Sequence, residues 1–184
     1  MTPDRLERKN PRLRGWDYGA GGTYFVTFCT SAHRPVLSSI RRGDPCGRPP
    51  LVLTPLGECV AEAIALTGVR VEHQVIMPNH VHLLLTLERA ATRAAPTGAG
   101  TRADARVSPT DRGTQAATEL GRLVGTVKSR SVHLAAGRGL EAGRLWQRGY
   151  YDHIVRSEND FLRIWTYIDN NPLRWELDCY YTER

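Results

Sequence analysis

Hydrophobic and polar positions along the chain alternate in two distinct periods. Thr23-Tyr24-Phe25-Val26-Thr27-Phe28-Cys29-Thr30 is rich in β-branched and aromatic residues and follows Gly21-Gly22, which predicts a strand. Residues 69–77, VRVEHQVIM, and 80–87, HVHLLLTL, read as two more strands; Pro78-Asn79 between them makes the turn of a hairpin. The helical period appears elsewhere. Residues 54–68 have Thr54 as N-cap, Pro55 at the first helical position, a stripe of Val60 and Ile64 with Ala61 and Ala65, and Gly68 as the stop. A second helix over 118–136 places Leu120, Leu123, Val124 and Val127 on one face, with Lys128 and Arg130 near it. A Gly-rich loop at 137–143 and a partly strand-like stretch at 144–156 follow. Ser157 then caps SENDFLRIWTYIDNN, with Asp160 at N3 as an acidic variant of the capping box. Pro172 ends that helix, because it disfavours helical geometry at Asn171 and cannot continue the ladder.

The predicted order is β-α-β-β-α-(β)-α. Mostly antiparallel strands with helices packed on one face make an α+β sandwich. Two segments break the pattern. RRGDPCGRPP (41–50) carries Gly and Pro at turn density, and residues 88–116 are rich in Ala, Thr, Arg, Gly and Pro with few large apolar side chains. Both read as flexible insertions, either tolerated surface loops or repeat-derived DNA translated in frame. The expected organisation is a basic N-terminal arm (1–15), a single domain (16–176) and a C-terminal tail (177–184). No repeat of solenoid period is present.

Composition narrows the function classes. In 184 residues, 41% hydrophobic and 24% charged side chains are globular proportions. No run of 18 apolar residues exists and no apolar segment follows the charged N-terminus, so neither a membrane span nor a secretory signal is expected. The four cysteines, Cys29, Cys46, Cys59 and Cys179, match no zinc spacing and read as reduced thiols of a cytoplasmic protein, Cys29 in the core. Lys+Arg number 25 against 19 Asp+Glu, for a net charge of +6. Only Lys9 and Lys128 are lysines. An Arg-rich basic chain implies a polyanion partner, most often nucleic acid, although a GC-rich genome would also raise Arg over Lys. The arm, with Arg5, Arg8, Lys9, Arg12 and Arg14, is either a frayed terminus or a phosphate-contacting segment that orders on binding.

The sharpest chemical signal is Met77-Pro78-Asn79-His80-Val81-His82. His80 and His82, two apart in a strand, project from one face, while Val81, Leu83 and Leu85 project from the other. Two adjacent imidazoles are either a solvated or hydrogen-bonded pair, or ligands for a divalent metal. On the last helix the apolar stripe is Phe161, Ile164, Trp165 and Ile168. Tyr167 points about 110° from its centre and Asn171 lies at its edge. Tyr167 and Asn171 share a face four residues apart. Tyr167 is a half-buried boundary tyrosine or a nucleophile.

With Tyr167-Ile168-Asp169-Asn170-Asn171 downstream, the His80-Val81-His82 pair resembles the single-tyrosine HUH endonucleases. Gly22-Thr23-Tyr24-Phe25-Val26-Thr27, the Met77–His82 segment, Trp146–Arg156 and Asn171-Pro172 narrow the resemblance to the REP-associated tyrosine transposases of the IS200-like superfamily. It spans about residues 10–176, apart from the two insertions. The resemblance implies a ferredoxin-like antiparallel sheet of HUH type with both histidines on a central strand. It implies a Mg²⁺ or Mn²⁺ site of His80, His82 and Asn171, the last standing where relatives often carry glutamine. It implies Tyr167 as the nucleophile that forms a 5′-phosphotyrosine and frees a 3′-OH.

The implied partner is single-stranded or hairpin DNA, a REP-type palindrome whose 5′ flank the arm at 5–14 would read. Arg12, Arg14, Lys128, Arg130, Arg148, His153 and Arg156 are candidate DNA contacts, and Trp146, Tyr150 and Tyr151 candidate base-stacking residues. The related branch implies a monomer, in the cytoplasm at the nucleoid and with no membrane partner. Three other readings are a nucleic-acid-binding protein that has lost activity, a metal-dependent ribonuclease that uses activated water, and a plain structural role with the histidines in a polar patch and the basic charge incidental.

Overall fold

The computed structural model describes residues 21–40, 51–88 and 118–181. The 1–15 arm with Arg12 and Arg14, the 41–50 insertion with Cys46, and the 88–116 insertion beyond Glu88 lie outside the described residues.

Four strands form one antiparallel sheet: β1 (Gly22–Cys29), β4 (Arg70–Ile76), β5 (His80–Leu87) and β6 (Tyr151–Val155), in the spatial order β4-β5-β1-β6. Helix α1 (Pro55–Ala65) connects β1 to β4, and α2 (Glu119–Gly137) connects β5 to β6. That is a β-α-β-β-α-β ferredoxin-like unit. Helix α3 (Glu158–Asn170) follows it, and a 3₁₀ segment (Pro172–Leu177) follows α3. Two short strands that the sequence reading did not contain, β2 (Ser38–Ile40) and β3 (Leu51–Leu53), pair at the two ends of the 41–50 segment.

The helix caps form as their residues require. The Thr54, Thr118 and Ser157 side chains accept hydrogen bonds from the N–H groups of Gly57, Gly121 and Asp160 at the starts of α1, α2 and α3. Gly57 also lets α1 approach the chain before β2. A Cβ there would sit 2.0 Å from the Leu37 carbonyl oxygen.

Alternation along the central strands sorts side chains between the two sheet faces. Tyr24, Val26 and Phe28 of β1 and Val81, Leu83, Leu85 and Leu87 of β5 pack with Val60, Ala63 and Ile64 of α1 and Leu120, Val124 and Val127 of α2. Phe25 and Leu84, from the same two strands, pack on the opposite face with Ile164 and Ile168 of α3. The expectation of helices on one face therefore holds for α1 and α2 and is corrected for α3. Its narrow apolar stripe fits the smaller apolar strip of the other face. Trp165, expected in that stripe, is partly exposed and stacks on His73 of β4, ring centroids 4.3 Å apart.

Candidate functional site

The turn before β5 is held from three sides. Leu37 N–H donates to the Pro78 carbonyl oxygen (2.9 Å), Thr30 N–H to the Asn79 carbonyl oxygen (2.8 Å) and Met77 N–H to the His80 carbonyl oxygen (2.9 Å). His80 and His82 leave this turn on the α3 face, both fully buried. Their Nε2 atoms lie 3.0 Å apart. Each ring is gripped from behind: His80 Nδ1 is 2.9 Å from Asn79 Oδ1, and His82 Nδ1 is 2.7 Å from Thr27 Oγ1 on β1.

Tyr167 on α3 reaches this pair. Its hydroxyl is 3.4 Å from His82 Nε2, and its ring meets Phe25 edge-on with centroids 5.9 Å apart. The phenol is 44% exposed, so it faces both the histidines and solvent. Asn171, one turn on, is buried. Its Nδ2 lies 3.5 Å from His82 Nε2 and donates to Asp178 Oδ2 at 3.0 Å, while its Oδ1 is buried without a partner. The structure thus brings together Tyr167, His80, His82 and Asn171, and places the Asn171 amide nitrogen, rather than its oxygen, toward the cluster.

Asp178 completes the cluster, and no sequence spacing points to it. His80, His82 and Asp178 each offer a ligand atom, all within 4.8 Å of one another. The tail expected at 177–184 is therefore part of the site at least to Tyr180. The Tyr180 carbonyl oxygen accepts from Asn79 Nδ2 at 2.6 Å, and its ring lies 4.7 Å from His80. The available signal was compositional: Leu177, Tyr180 and Tyr181 are a poor composition for a solvated tail.

Burial sets the electrostatics. It holds His80 neutral, lowering its pKa to about 4 against the opposing pull of the Asp178 carboxylate. It drives His82 well below the ordinary imidazole range, with His80 adding to the effect. It also pushes the Tyr167 phenol up to about 12, with Asp178 and Cys179 acting in the same direction. Neutral imidazoles keep their lone pairs for a cation. Two imidazole nitrogens and a carboxylate form a donor set that fits a divalent metal.

The candidate DNA contacts divide. Arg148 is exposed and has no partner among the described residues, and Arg156 is exposed at the end of β6. His153 pairs with Asp160 on the first turn of α3 at 2.8 Å and holds that carboxyl below its usual range. Lys128 turns inward: Nζ donates to the carbonyl oxygens of Gln147 (2.9 Å) and Gly149 (2.6 Å) and sits 5.5 Å from the Phe28 ring centroid, and burial lowers its pKa to about 8. Arg130 donates to the Leu66 carbonyl oxygen after α1, at 2.7 Å. Both extend from α2, which packs on the sheet face away from the histidines, and both side chains tie loop carbonyls to that helix.

The base-stacking expectation for Trp146 is corrected by its burial. It is buried against Phe28, and its indole N–H donates to Ser131 Oγ at 2.9 Å. Tyr150 is partly buried against the α1/α2 core. Tyr151 is 41% exposed and stands opposite Thr27 in register, on the histidine face. Two cations the sequence did not single out, Arg163 and Arg174, line the cleft beside Tyr167 with Thr166, Asn170 and Asp178.

No protein-family model matches the chain. It is 29% identical over 181 residues to an uncharacterized protein of Haemophilus influenzae, a match covering 96% of this chain and 94% of the relative. Its structure is similar to that of a REP-associated tyrosine transposase bound to a REP hairpin, with a TM-score of 0.52 and 17% identity over 91% of this chain and 74% of that one. At that identity the likeness is one of fold, the α+β architecture with a four-stranded antiparallel sheet.

Proposed function

We propose that this chain is a metal-dependent single-stranded DNA endonuclease and strand transferase acting on REP-type hairpin DNA. The observation that carries the reading is the meeting of a half-exposed Tyr167 hydroxyl with His82 Nε2, 3.4 Å apart, beside His80 and Asp178. Motifs separated by more than eighty residues converge there. The similarity to a hairpin-bound transposase agrees with the reading at the level of fold.

His80, His82 and Asp178 would hold Mg²⁺ or Mn²⁺, with Asn171 Oδ1 joining if its amide turns over. A bound cation would polarise a non-bridging phosphate oxygen and offset the charge that develops on it. The chain's own residues do the rest. Helix α3 presents Tyr167 Oη to the phosphorus. As the Oη–P bond forms, the P–O3′ bond breaks. The phenol gives up its proton and the departing 3′-oxygen gains one, leaving a 5′-phosphotyrosine and a 3′-OH. Burial opposes loss of the phenolic proton, so Tyr167 stays protonated until the charged groups of the assembled site favour its ionisation. The covalent bond conserves the phosphodiester energy, and rejoining needs no ATP.

Arg163 and Arg174 would neutralise phosphates beside Tyr167, Arg148 and Arg156 would act along the β6 edge, and Tyr151 would stack a base. Arg12 and Arg14 of the arm would read the 5′ flank of the hairpin. We further propose that the protein acts as a monomer at the nucleoid. No described helix is long and apolar enough to cross a membrane.

Covalent trapping tests the reading. Labelled single-stranded hairpin oligonucleotides from the repeats of the source genome are incubated with protein and Mn²⁺ or EDTA. A metal-dependent SDS-stable adduct that disappears in Tyr167→Phe and His80→Ala is expected. Cleavage without an adduct, unaffected by Tyr167→Phe, would replace the proposal with a water-dependent nuclease. Binding without cleavage would favour a DNA-binding protein that has lost catalysis.

A further inference from the structure

Asn79 is fully buried and makes more polar contacts than a turn residue requires. Its Nδ2 donates to two backbone carbonyl oxygens, His33 O at 3.1 Å and Tyr180 O at 2.6 Å. Carbonyl oxygens only accept, so these two bonds fix which way round the amide lies. Asn79 Oδ1 must therefore face His80 Nδ1, 2.9 Å away, and it too can only accept. The proton of the neutral His80 ring is consequently on Nδ1, and its Nε2 carries the lone pair.

The His82 ring has a different kind of partner. His80 Nε2 and His82 Nε2 are 3.0 Å apart, a hydrogen-bond distance that two lone pairs cannot share. Since His80 has no proton there, His82 must supply it and is the Nε2–H form, so the longer 3.5 Å approach of Asn171 Nδ2 to that atom is not a hydrogen bond. His82 Nδ1 then accepts from Thr27 Oγ1–H across 2.7 Å. A hydroxyl both donates and accepts, so Thr27 can also receive a proton from His82 Nδ1 after rotating about its C–O bond. Asn79, locked by two carbonyls, has no such freedom.

We infer that Asn79 is the positioning residue of this site: it locks His80 in the Nδ1–H form, ready to ligate through Nε2, and pins the chain segment that carries Asp178. Thr27 leaves His82 free to exchange its proton between nitrogens. To ligate a cation through Nε2, His82 would have to give up its Nε2 proton and take one at Nδ1, where Thr27 Oγ1 can accept it, with no net change in protonation. The Asn79–Tyr180 bond supports one of two holds on Asp178, whose Oδ1 accepts from the Tyr180 N–H at 2.8 Å while its Oδ2 accepts from Asn171 Nδ2 at 3.0 Å. The inference rests on the metal-site part of the proposed function and is independent of the DNA reaction.

The test is histidine-labelled nitrogen NMR on the full chain at pH 8, first stripped by chelator and then loaded with Mg²⁺, together with hydrogen exchange and Mn²⁺ binding without DNA. The stripped protein is expected to show His80 as Nδ1–H and His82 as Nε2–H, and Mg²⁺ to convert His82 alone. Asn79→Asp keeps an acceptor for His80 but loses both donors. It should retain the His80 tautomer while amide exchange at 178–181 accelerates. Asn79→Ala should lose the His80 preference and weaken Mn²⁺ binding by about 10–100-fold. An Nε2–H form of His80 in the stripped wild-type protein overturns the inference, as does unchanged exchange at 178–181 in Asn79→Asp. The wild-type spectrum decides the tautomer even if Asn79→Ala does not fold. Metal binding with these signatures but no DNA adduct would leave the inference standing and remove the DNA reaction.

Discussion

The two faces of the central sheet are made from the same strands and do different work. Val81, Leu83, Leu85 and Leu87 of β5 enter a broad apolar core under α1 and α2. His80 and His82 leave the same strand on the other side, where among the described residues the buried apolar cluster is Phe25, Leu84, Ile164 and Ile168. One face concentrates hydrophobic burial, and the other can therefore accommodate two neutral histidines, an asparagine and a threonine at its centre. The lesson is that a half-apolar strand permits chemistry when the apolar half alone holds the sheet together.

The sharpest way to break this contrast is to damage the apolar face and watch the other. Leu85→Ala, at a fully buried position, is expected to lower unfolding free energy by about 2–5 kcal/mol in denaturant titration. Well below its melting point the variant should keep Mn²⁺ affinity within about threefold of wild type, as distant sites act nearly independently. A loss of affinity like that of His80→Ala would show that the faces are coupled.

Acid should strike the histidine face first. Burial holds His80 at about 4 and His82 well below the ordinary imidazole range, while unfolded imidazoles titrate near 6.5. Below that value the unfolded chain binds more protons, so it gains stability relative to the fold. Full stability is expected above about pH 6.5, with a progressive fall toward pH 4, by about 1.4 kcal/mol per pH unit for each proton fully taken up. Melting midpoints of metal-free protein across this range measure it. Replacing His80 with Gln should flatten the slope, and an unchanged slope would place the proton uptake elsewhere.

Lys128→Met separates tether from DNA contact. Removing its bonds to the Gln147 and Gly149 carbonyls should cost about 2 kcal/mol of stability. Hairpin binding measured at a temperature where the variant is folded should hold, with a salt slope equal to that of wild type. A shallower slope would return Lys128 to the DNA interface.

The smallest effect is expected at Arg148. Arg148→Ala should leave stability within about 0.5 kcal/mol, because the side chain is exposed and has no partner among the described residues. Its hairpin affinity should fall evenly across sequences and its salt slope by about 1, as for one lost phosphate contact. An unaltered slope would remove the β6 edge from the DNA path.

Local sequence determined what local physics controls. Strand alternation in β1 and β5, the Thr54 and Ser157 caps, the Pro78-Asn79 turn and the shared face of His80 and His82 all follow from residue type and period, and each has the expected form. Tyr167 stood off the apolar stripe of its helix and is half exposed. Tertiary structure alone decided the rest. Helix α3 lies across the face opposite α1 and α2, because its two-residue buried stripe matches a strip of apolar surface that exists only once the sheet is formed. Lys128 turns inward because carbonyls of a loop some twenty residues away face it. Asp178 meets His80 and His82 from nearly a hundred residues away. No period encodes such a meeting, which comes from the chain doubling back until Asn79 can reach the Tyr180 carbonyl.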